Sequence, residues 1–326
     1  MSATGPRTSA RASAEPMAPG WVPAPGYEVI GHLSRGRRLD VYDAWSFQRA
    51  SRCVLKLLRP ERRDDAAARR KLVREGELLC SLTHPHIVRG YETIRGPEPI
   101  VVMETLGGET LSHLIESREE PLAPAEIGHL GLHLASAVSY LHATGILHLD
   151  IKPDNVVAEG GRAKLIDLSL AREPGPSSAG IGTWCYLAPE QARGGELGPS
   201  ADVWGIGVTL FEAATGEPAF ADPDDRSSAT GSSSEPISDA QADRWSESET
   251  RPSWDSGGSD DPWEGDYPQL TLAARPTAAV RALPEPLCAL IDACLRFEPA
   301  ARPTVIELQA GLELIAELPE AERRFS

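Results

Sequence analysis

Residues 148–167 read HLDIKPDNVVAEGGRAKLID, and four side chains in this stretch decide how the rest of the chain is read. Asp150 is able to take a proton from an alcohol, and Lys152, two residues on, places a positive charge beside it. Asn155 and Asp167 bring oxygen ligands of the kind that a hard cation such as Mg2+ prefers. Between them, residues 156–157 and 163–166 read as short strands joined by a turn over 159–162, with Gly160 and Gly161 inside it. Such a hairpin folds Asp167 back towards Asn155 and completes a metal site from two separated carriers.

Upstream, residues 124–144 predict a long helix, with Ile127, Leu130, Leu134, Val138 and Leu141 at helical spacing. Residues 62–82 predict an amphipathic helix with Leu72, Leu79 and Leu82 on its apolar side and Glu75 within it. Three strands are expected at 27–33, 40–45 and 52–58, with a turn over 34–39. The third reads RCVLKLL, so Lys56 lies in an apolar strand, which is costly unless the lysine meets a negative partner. Residues 100–103 form another apolar strand, which runs into Glu104-Thr105-Leu106-Gly107-Gly108. Downstream, Asp202 opens an apolar helix over 203–215, and helical periodicity returns over 267–318.

In order and spacing these segments resemble the eukaryotic-type (Hanks-type) serine/threonine protein kinases, and the soluble bacterial members in particular. The key stretch follows the family pattern H-R-D-L-K-x-x-N, then D-F-G. The resemblance implies an α+β, two-lobed protein-kinase-like fold: a small β-rich N-lobe of five strands and one helix, and a larger helical C-lobe, with ATP in the cleft. It makes Asp150 the base for a substrate hydroxyl and Lys152 the contact to the moving phosphoryl group, the mark of the serine/threonine branch. Asn155 and Asp167 would hold Mg2+. Lys56 would take the α- and β-phosphates of ATP, with Glu75 as its ion-pair partner. Met103 would be the gatekeeper, and backbone groups from Glu104 to Leu106 would bind the adenine edge, with the two glycines after them as the bend of the hinge. Thr183, in Gly182-Thr183-Trp184-Cys185-Tyr186-Leu187-Ala188-Pro189-Glu190, would reach Asp150 and Lys152. Glu190 would pair with Arg302, and Asp202 would anchor the backbone of the catalytic loop.

The chain departs from the family in three places. Aligned on Val41, the pattern G-x-G-x-x-G-x-V falls on Ser34, Gly36 and Leu39, so only the middle glycine remains to approach the phosphates. Arg35, Arg37 and Arg38 are either substitutes for backbone amides at the phosphate oxygens or the charges of a solvated turn. Leu149 stands where the family often has an arginine that grips a loop phosphate, so activity should depend less on phosphorylation of Ser177 and Ser178. Leu168-Ser169 replaces Phe-Gly, with Leu168 still suited to an apolar pocket. The implied function is transfer of phosphoryl groups from ATP to Ser or Thr hydroxyls of proteins. The alternative is a nucleotide-binding pseudokinase scaffold.

Composition bounds the partners. The 326 residues carry a net charge of −16, which argues against nucleic acid or an anionic membrane as the main partner. Residues 222–266 hold thirteen acids against three arginines, along with Trp245, Trp254 and Trp263. They read as a low-complexity, disordered insert, either a solvated linker or a docking segment for a basic partner. Residues 1–25, rich in Ala, Ser, Pro and Gly, read as a disordered leader. The kinase-like domain then spans 26–318, with lobes at 26–104 and 108–318, before a tail at 319–326. Five cysteines with no paired spacing read as reduced thiols of a cytoplasmic protein, and Cys288 and Cys294 as core residues. No apolar run is long enough to span a membrane. His84 reads as a packed structural histidine.

Overall fold

The computed structural model describes residues 15–220 and 267–316; the expected insert and C-terminal tail lie outside the described residues. The chain forms two compact units, one of the residues up to Thr83 with Arg89–Thr105, the other of His84–Val88 with the residues from Leu106 onward.

The first unit is an antiparallel five-stranded sheet. Its strands are β1 (Tyr27–Arg35), β2 (Leu39–Ser46), β3 (Ser51–Leu58), β4 (Gly90–Ile94) and β5 (Ile100–Glu104), in the order β1-β2-β3-β5-β4. Alternation along β3 sorts its residues onto two faces. Cys53, Leu55 and Leu57 join Tyr27, Val29, Tyr42 and Val102 in one apolar core. The opposite face carries Lys56, paired in register with Val101. Against Val101 runs helix α1 (Ala66–Ser81), so closely that a Cβ on Gly76 would stand 2.7 Å from a Val101 methyl. Both faces are covered, so RCVLKLL reads as apolar nearly throughout. Helix α1 starts four residues later than expected. Residues Pro60–Arg62 form a separate 3-10 turn, and the Asp65 carboxylate caps the helix by accepting from the amides of Ala67 and Ala68 at 3.0 and 2.9 Å.

Residues 15–25, expected within the disordered leader, instead cover the core face of the sheet. The Gly20 amide donates to Val29 O and the Val29 amide to Trp21 O, each at 2.8 Å. The Trp21 ring meets Tyr42 edge-on at 6.1 Å, and Ala24 is buried. Met17, Trp21 and Ala24 supply the apolar groups for this contact, and a composition-based reading averages them away among the surrounding Pro, Ser and Ala.

The second unit is mostly helical. Helix α2 (Leu111–Ser117) precedes α3 (Pro124–Ala143), which buries Ile127, Leu130, Leu134, Val138 and Leu141 as its spacing predicts. A small sheet of β6 (Glu109–Thr110), β7 (Val156–Glu159) and β8 (Arg162–Leu165) carries the expected hairpin. Gly160 and Gly161 take φ of 56° and 78°, the positive pair that a two-residue turn matched to strand twist requires. Gly107 and Gly108 do not have positive φ. A Cβ on Gly108 would stand 1.9 Å from Ala158 O, so this glycine serves close approach of β6 to β7, not a bend. Helix α4 (Pro199–Thr215) begins before the expected residue 203, with Pro199 in its first turn, and is buried on nearly all sides. Helices Glu285–Cys294 and Val305–Ala316 close this unit, and Cys288 and Cys294 lie buried among them as core residues. Among the described residues, no helix is long and apolar enough to cross a membrane.

Candidate active site

The loop after α3 gathers four of the expected side chains within the second unit. Thr183 Oγ1 donates to Asp150 Oδ1 at 2.7 Å and accepts from Lys152 Nζ at 2.6 Å. Lys152 Nζ lies 3.7 Å from Asp150 Oδ2. Asn155 Nδ2 donates to both the main-chain oxygen and Oδ2 of Asp150, each at 2.9 Å. The Asp150 carboxylate is thereby aimed by three neighbours yet stays within reach of solvent, at 14% side-chain exposure. With its nitrogen engaged this way, the Asn155 amide offers Oδ1 as the ligating atom. The Ile166 amide donates to Asn155 O at 3.1 Å, so the hairpin returns the chain to Asn155 one residue before Asp167. Asp167 Oδ1 accepts from the Ser169 amide at 2.8 Å. An amide oxygen and a carboxylate form a hard oxygen donor set that suits Mg2+, which completes its shell with water and phosphate oxygens.

The loop itself is held by a buried acid. Asp202, in the first turn of α4, accepts from the amides of His148 and Leu149 at 2.9 and 2.7 Å and from His142 Nε2 at 2.8 Å. Leu149 sits at φ 66°, a left-handed backbone that a branched residue adopts only when its surroundings impose it. Asp202 fixes its amide, and Gln191 Nε2 donates to its oxygen at 2.8 Å. The His148 ring is buried, and burial lowers its pKa despite the opposing charges of Asp202, Asp150 and Asp167. The ring stays neutral, and its Nδ1 accepts from the Asp150 amide at 3.3 Å.

In the first unit Lys56 and Glu75 meet as a buried ion pair, Nζ to Oε1 at 2.7 Å with side-chain exposures of 9% and 1%. Ions this dry are tolerated only when paired. Among the residues named so far are those that the family resemblance would make a base, a phosphate lysine with its carboxylate, and two oxygen ligands. The protein kinase domain family matches residues 27–311.

The chain belongs to the protein kinase domain family.

A probable serine/threonine-protein kinase of Streptomyces coelicolor is 34% identical over 209 residues, covering 60% of this chain and 31% of that protein. Serine/threonine-protein kinase PknD of Mycobacterium tuberculosis is 34% identical over 202 residues, covering 60% and 30%. PknB of Mycobacterium leprae is 33% identical over 206 residues, covering 60% and 33%. The match thus spans about a third of these curated relatives. Among solved structures, the PknI kinase domain of Mycobacterium tuberculosis superposes with a TM-score of 0.65 at 21% identity, over 93% of this chain and 100% of that one. The α+β kinase fold follows, with its β-rich and helical parts.

Around the loop, the kinase domain pins residues 175–197 with groups that sequence reasoning missed. Strand β9 (Gly175–Ser177) pairs with β10 (Gly195–Leu197). Gln191 Nε2 donates to Ile181 O as well as Leu149 O, and Gln269 Nε2 donates to Trp184 O and Leu187 O at 2.9 and 3.1 Å. Glutamines bonded to main-chain oxygens have no spacing signature, so only the fold reveals them. Glu190 and Arg302 form the expected pair, with two bonds at 2.6 and 2.9 Å, and Arg302 also donates to three main-chain oxygens. Leu168 is buried, as an apolar pocket requires. His84 stacks on Tyr140 at 5.0 Å and accepts the His86 amide through Nδ1, which makes it a packing group.

The residues assigned to the nucleotide lie apart from this cluster in the chain. Ser34 and Val41 pair across β1 and β2. Gly36 caps the turn, its amide donating to Leu39 O at 2.8 Å. Arg35 is tied to Asp40 through two bonds at 2.7 and 2.8 Å, which removes it from the set of arginines facing phosphate oxygens. Met103 is buried at the end of β5. The Glu104 amide donates to Arg89 O, and Leu106 follows half-buried.

Proposed function

We propose that this chain transfers the γ-phosphoryl group of ATP to serine and threonine hydroxyls of proteins. The supporting observation is the cluster of Asp150, Lys152, Asn155 and Thr183, in which a carboxylate still within reach of solvent is aimed by two hydrogen-bonded neighbours and a lysine. A substrate hydroxyl donates its proton to Asp150 as its oxygen bonds to the γ-phosphorus and the bond to ADP breaks. Lys152 offsets the negative charge of the moving phosphoryl group, and Thr183 keeps Asp150 and Lys152 in register. Catalysis here is positioning and electrostatics. Mg2+, held by Asn155 and Asp167, would neutralise phosphate charge. Lys56, set by Glu75, takes the α- and β-phosphates, and Ser34, Gly36 and Val41 lie over them. Adenine is read by the backbone of Glu104 and Leu106, with Glu104 offering its carbonyl, since its amide already donates to Arg89 O. A cytoplasmic setting accords with five free cysteines.

The test is transfer of labelled γ-phosphate, with Mg2+, to the chain itself and to a generic basic protein, beside Asp150→Asn. Label that vanishes in the variant supports the reading. No label, but thermal stabilisation by ATP, would make the domain a nucleotide-binding scaffold instead.

A further inference from the structure

The turn between β1 and β2 has kept one family glycine, yet it does not use glycine's freedom. No residue from Ser34 to Leu39 has a positive φ, and a Cβ on Gly36 would meet only Leu39 O, at an ordinary 3.6 Å. The strand ladder, irregular between Val29 and Gly31 and again between His32 and Ser34, extends to the pair Arg35 and Asp40, and the Gly36 amide closes the end on Leu39 O at 2.8 Å. Side chains then lock this hairpin from beneath. The Asp40 carboxylate, with 1% side-chain exposure, takes two bonds from Arg35 at 2.7 and 2.8 Å, lies 3.2 Å from His32 Nε2, and accepts from the Tyr42 hydroxyl at 3.4 Å. Burial works to raise the Asp40 carboxyl, but the bonds from Arg35 and His32 outweigh it and hold the group below its ordinary range. Arg59, from the end of β3, holds the tip. Its Nη1 donates to Gly36 O at 3.2 Å and Arg37 O at 3.4 Å, its amide donates to Arg38 O at 2.9 Å, and Glu61 pairs with its guanidinium.

We propose that Asp40, Arg35 and Arg59 are positioning residues for nucleotide binding, bracing the β1–β2 turn into a preformed hairpin over the ATP phosphates where relatives rely on flexible glycines. The proposal rests on the reading of this turn as the ATP lid. A glycine flap gains close backbone approach but must be ordered each time nucleotide binds. A braced hairpin has its shape set during folding, so loss of the brace is felt as weaker nucleotide binding and not as slower chemistry.

Two readouts on the full chain test this. Backbone hydrogen exchange at Gly36–Leu39 needs no nucleotide, and calorimetric titration with ATP and Mg2+ measures affinity directly. Arg59→Ala removes two bonds, each accounting for a few-fold, so exchange at Gly36 and the Kd for ATP should both rise about tenfold. The KM for ATP should follow, with kcat nearly unchanged. Arg59→Lys keeps the charge but lacks the fork that holds the two carbonyls through Nη1 and Glu61 through Nη2 at once, and should rescue little. Restoring the family glycines with Ser34→Gly and Leu39→Gly should weaken ATP binding as well. Unchanged exchange in Arg59→Ala, full rescue by lysine, or tighter ATP binding with the glycines restored would each overturn the proposal. If Asp40→Asn leaves the fold intact, it should match Arg59→Ala in both readouts; equal affinity to the unaltered chain would overturn Asp40's part. Failure of the unaltered chain to bind ATP would strike at the proposed function, and the exchange data would still decide whether the brace exists.

Discussion

Replacing Asp202 with asparagine probes what holds the catalytic loop. The carboxylate has 0% side-chain exposure and accepts from the His148 amide at 2.9 Å, the Leu149 amide at 2.7 Å and His142 Nε2 at 2.8 Å. Asparagine keeps the shape, but one of its terminal atoms becomes a donor facing other donors. Bonds to a charged group contribute roughly 1.5–3 kcal/mol each, so losing one and making the rest neutral removes about 3–5 kcal/mol. Some of this returns, because Leu149 at φ 66° stores roughly 1–3 kcal/mol that it releases when its amide is let go. The net loss centres on about 2 kcal/mol, which corresponds to a fall of roughly 30-fold in the population of the held loop. The assay pairs urea unfolding with initial rates of phosphoryl transfer on the same preparation. Either stability or kcat should drop by that amount, while the KM for ATP moves little. Stability within about 0.5 kcal/mol of the unaltered chain and a rate within about twofold would refute the reasoning.

Other consequences are as direct. Thr183→Val removes the hydroxyl between Lys152 and Asp150 and should lower kcat by roughly ten- to a hundredfold, with Thr183→Ser restoring most of it. Arg302→Met leaves Glu190 inside without its two bonds and should cost about 3–5 kcal/mol in chemical unfolding; a loss below about 1 kcal/mol would contradict the pairing. Ser177→Ala with Ser178→Ala should leave kinase activity nearly whole, because Leu149 is buried and Gln191 and Gln269 hold the segment without a phosphate.

Two groups give stability opposite pH slopes. Burial, then the charges of His86, His129 and Arg162, lowers His133 to about 4, so its neutral form is favoured in the fold. The stability it contributes is present above about 6.5 and is lost as pH falls towards 4, on the order of 1–2 kcal/mol after allowing for solvent screening. Glu212 is raised to about 7, first by burial and then by Asp154 and Glu116, against the bond from Tyr186. Its protonated form is favoured in the fold, so its contribution is present below about 4.5 and lost as pH rises through 7. Urea midpoints at several pH values should show His133→Gln flattening the acid side and Glu212→Gln the neutral side. A profile unmoved by either variant would reject both assignments.

The active-site hairpin was legible because its signal is local. Short apolar runs on either side of Gly160-Gly161 mark two strands and the turn between them without help from the rest of the chain. Asp150, Lys152, Asn155 and Asp167 then stand at the intervals of the family pattern that the stretch resembles. Lys56 was legible for a related reason: a charge in an apolar strand demands a partner, and Glu75 stands at the family's interval on the next helix. The start of α1 was misplaced because Asp65 caps the helix through a side chain, and charge patterning along 62–65 continues smoothly into it. Residues 15–25 were misread because three apolar groups among prolines and alanines carry no period, and their docking depends on a sheet face formed by later strands.

The sequence by itself determined which residues are candidates for the chemistry: Asp150 for the proton, Lys56 and Lys152 for phosphate, Asn155 and Asp167 for a cation. Those residues are few, close together along the chain or spaced by regular elements, and their types are dictated by the reaction. Only the tertiary structure decided how they are held. The left-handed Leu149, the three bonds onto Asp202, the glutamines that tie down residues 175–197 and the arginine brace under the β1–β2 turn join groups distant in sequence through main-chain atoms. Every residue carries a main-chain acceptor, and all but proline a main-chain donor, so such bonds leave little mark in the amino-acid order.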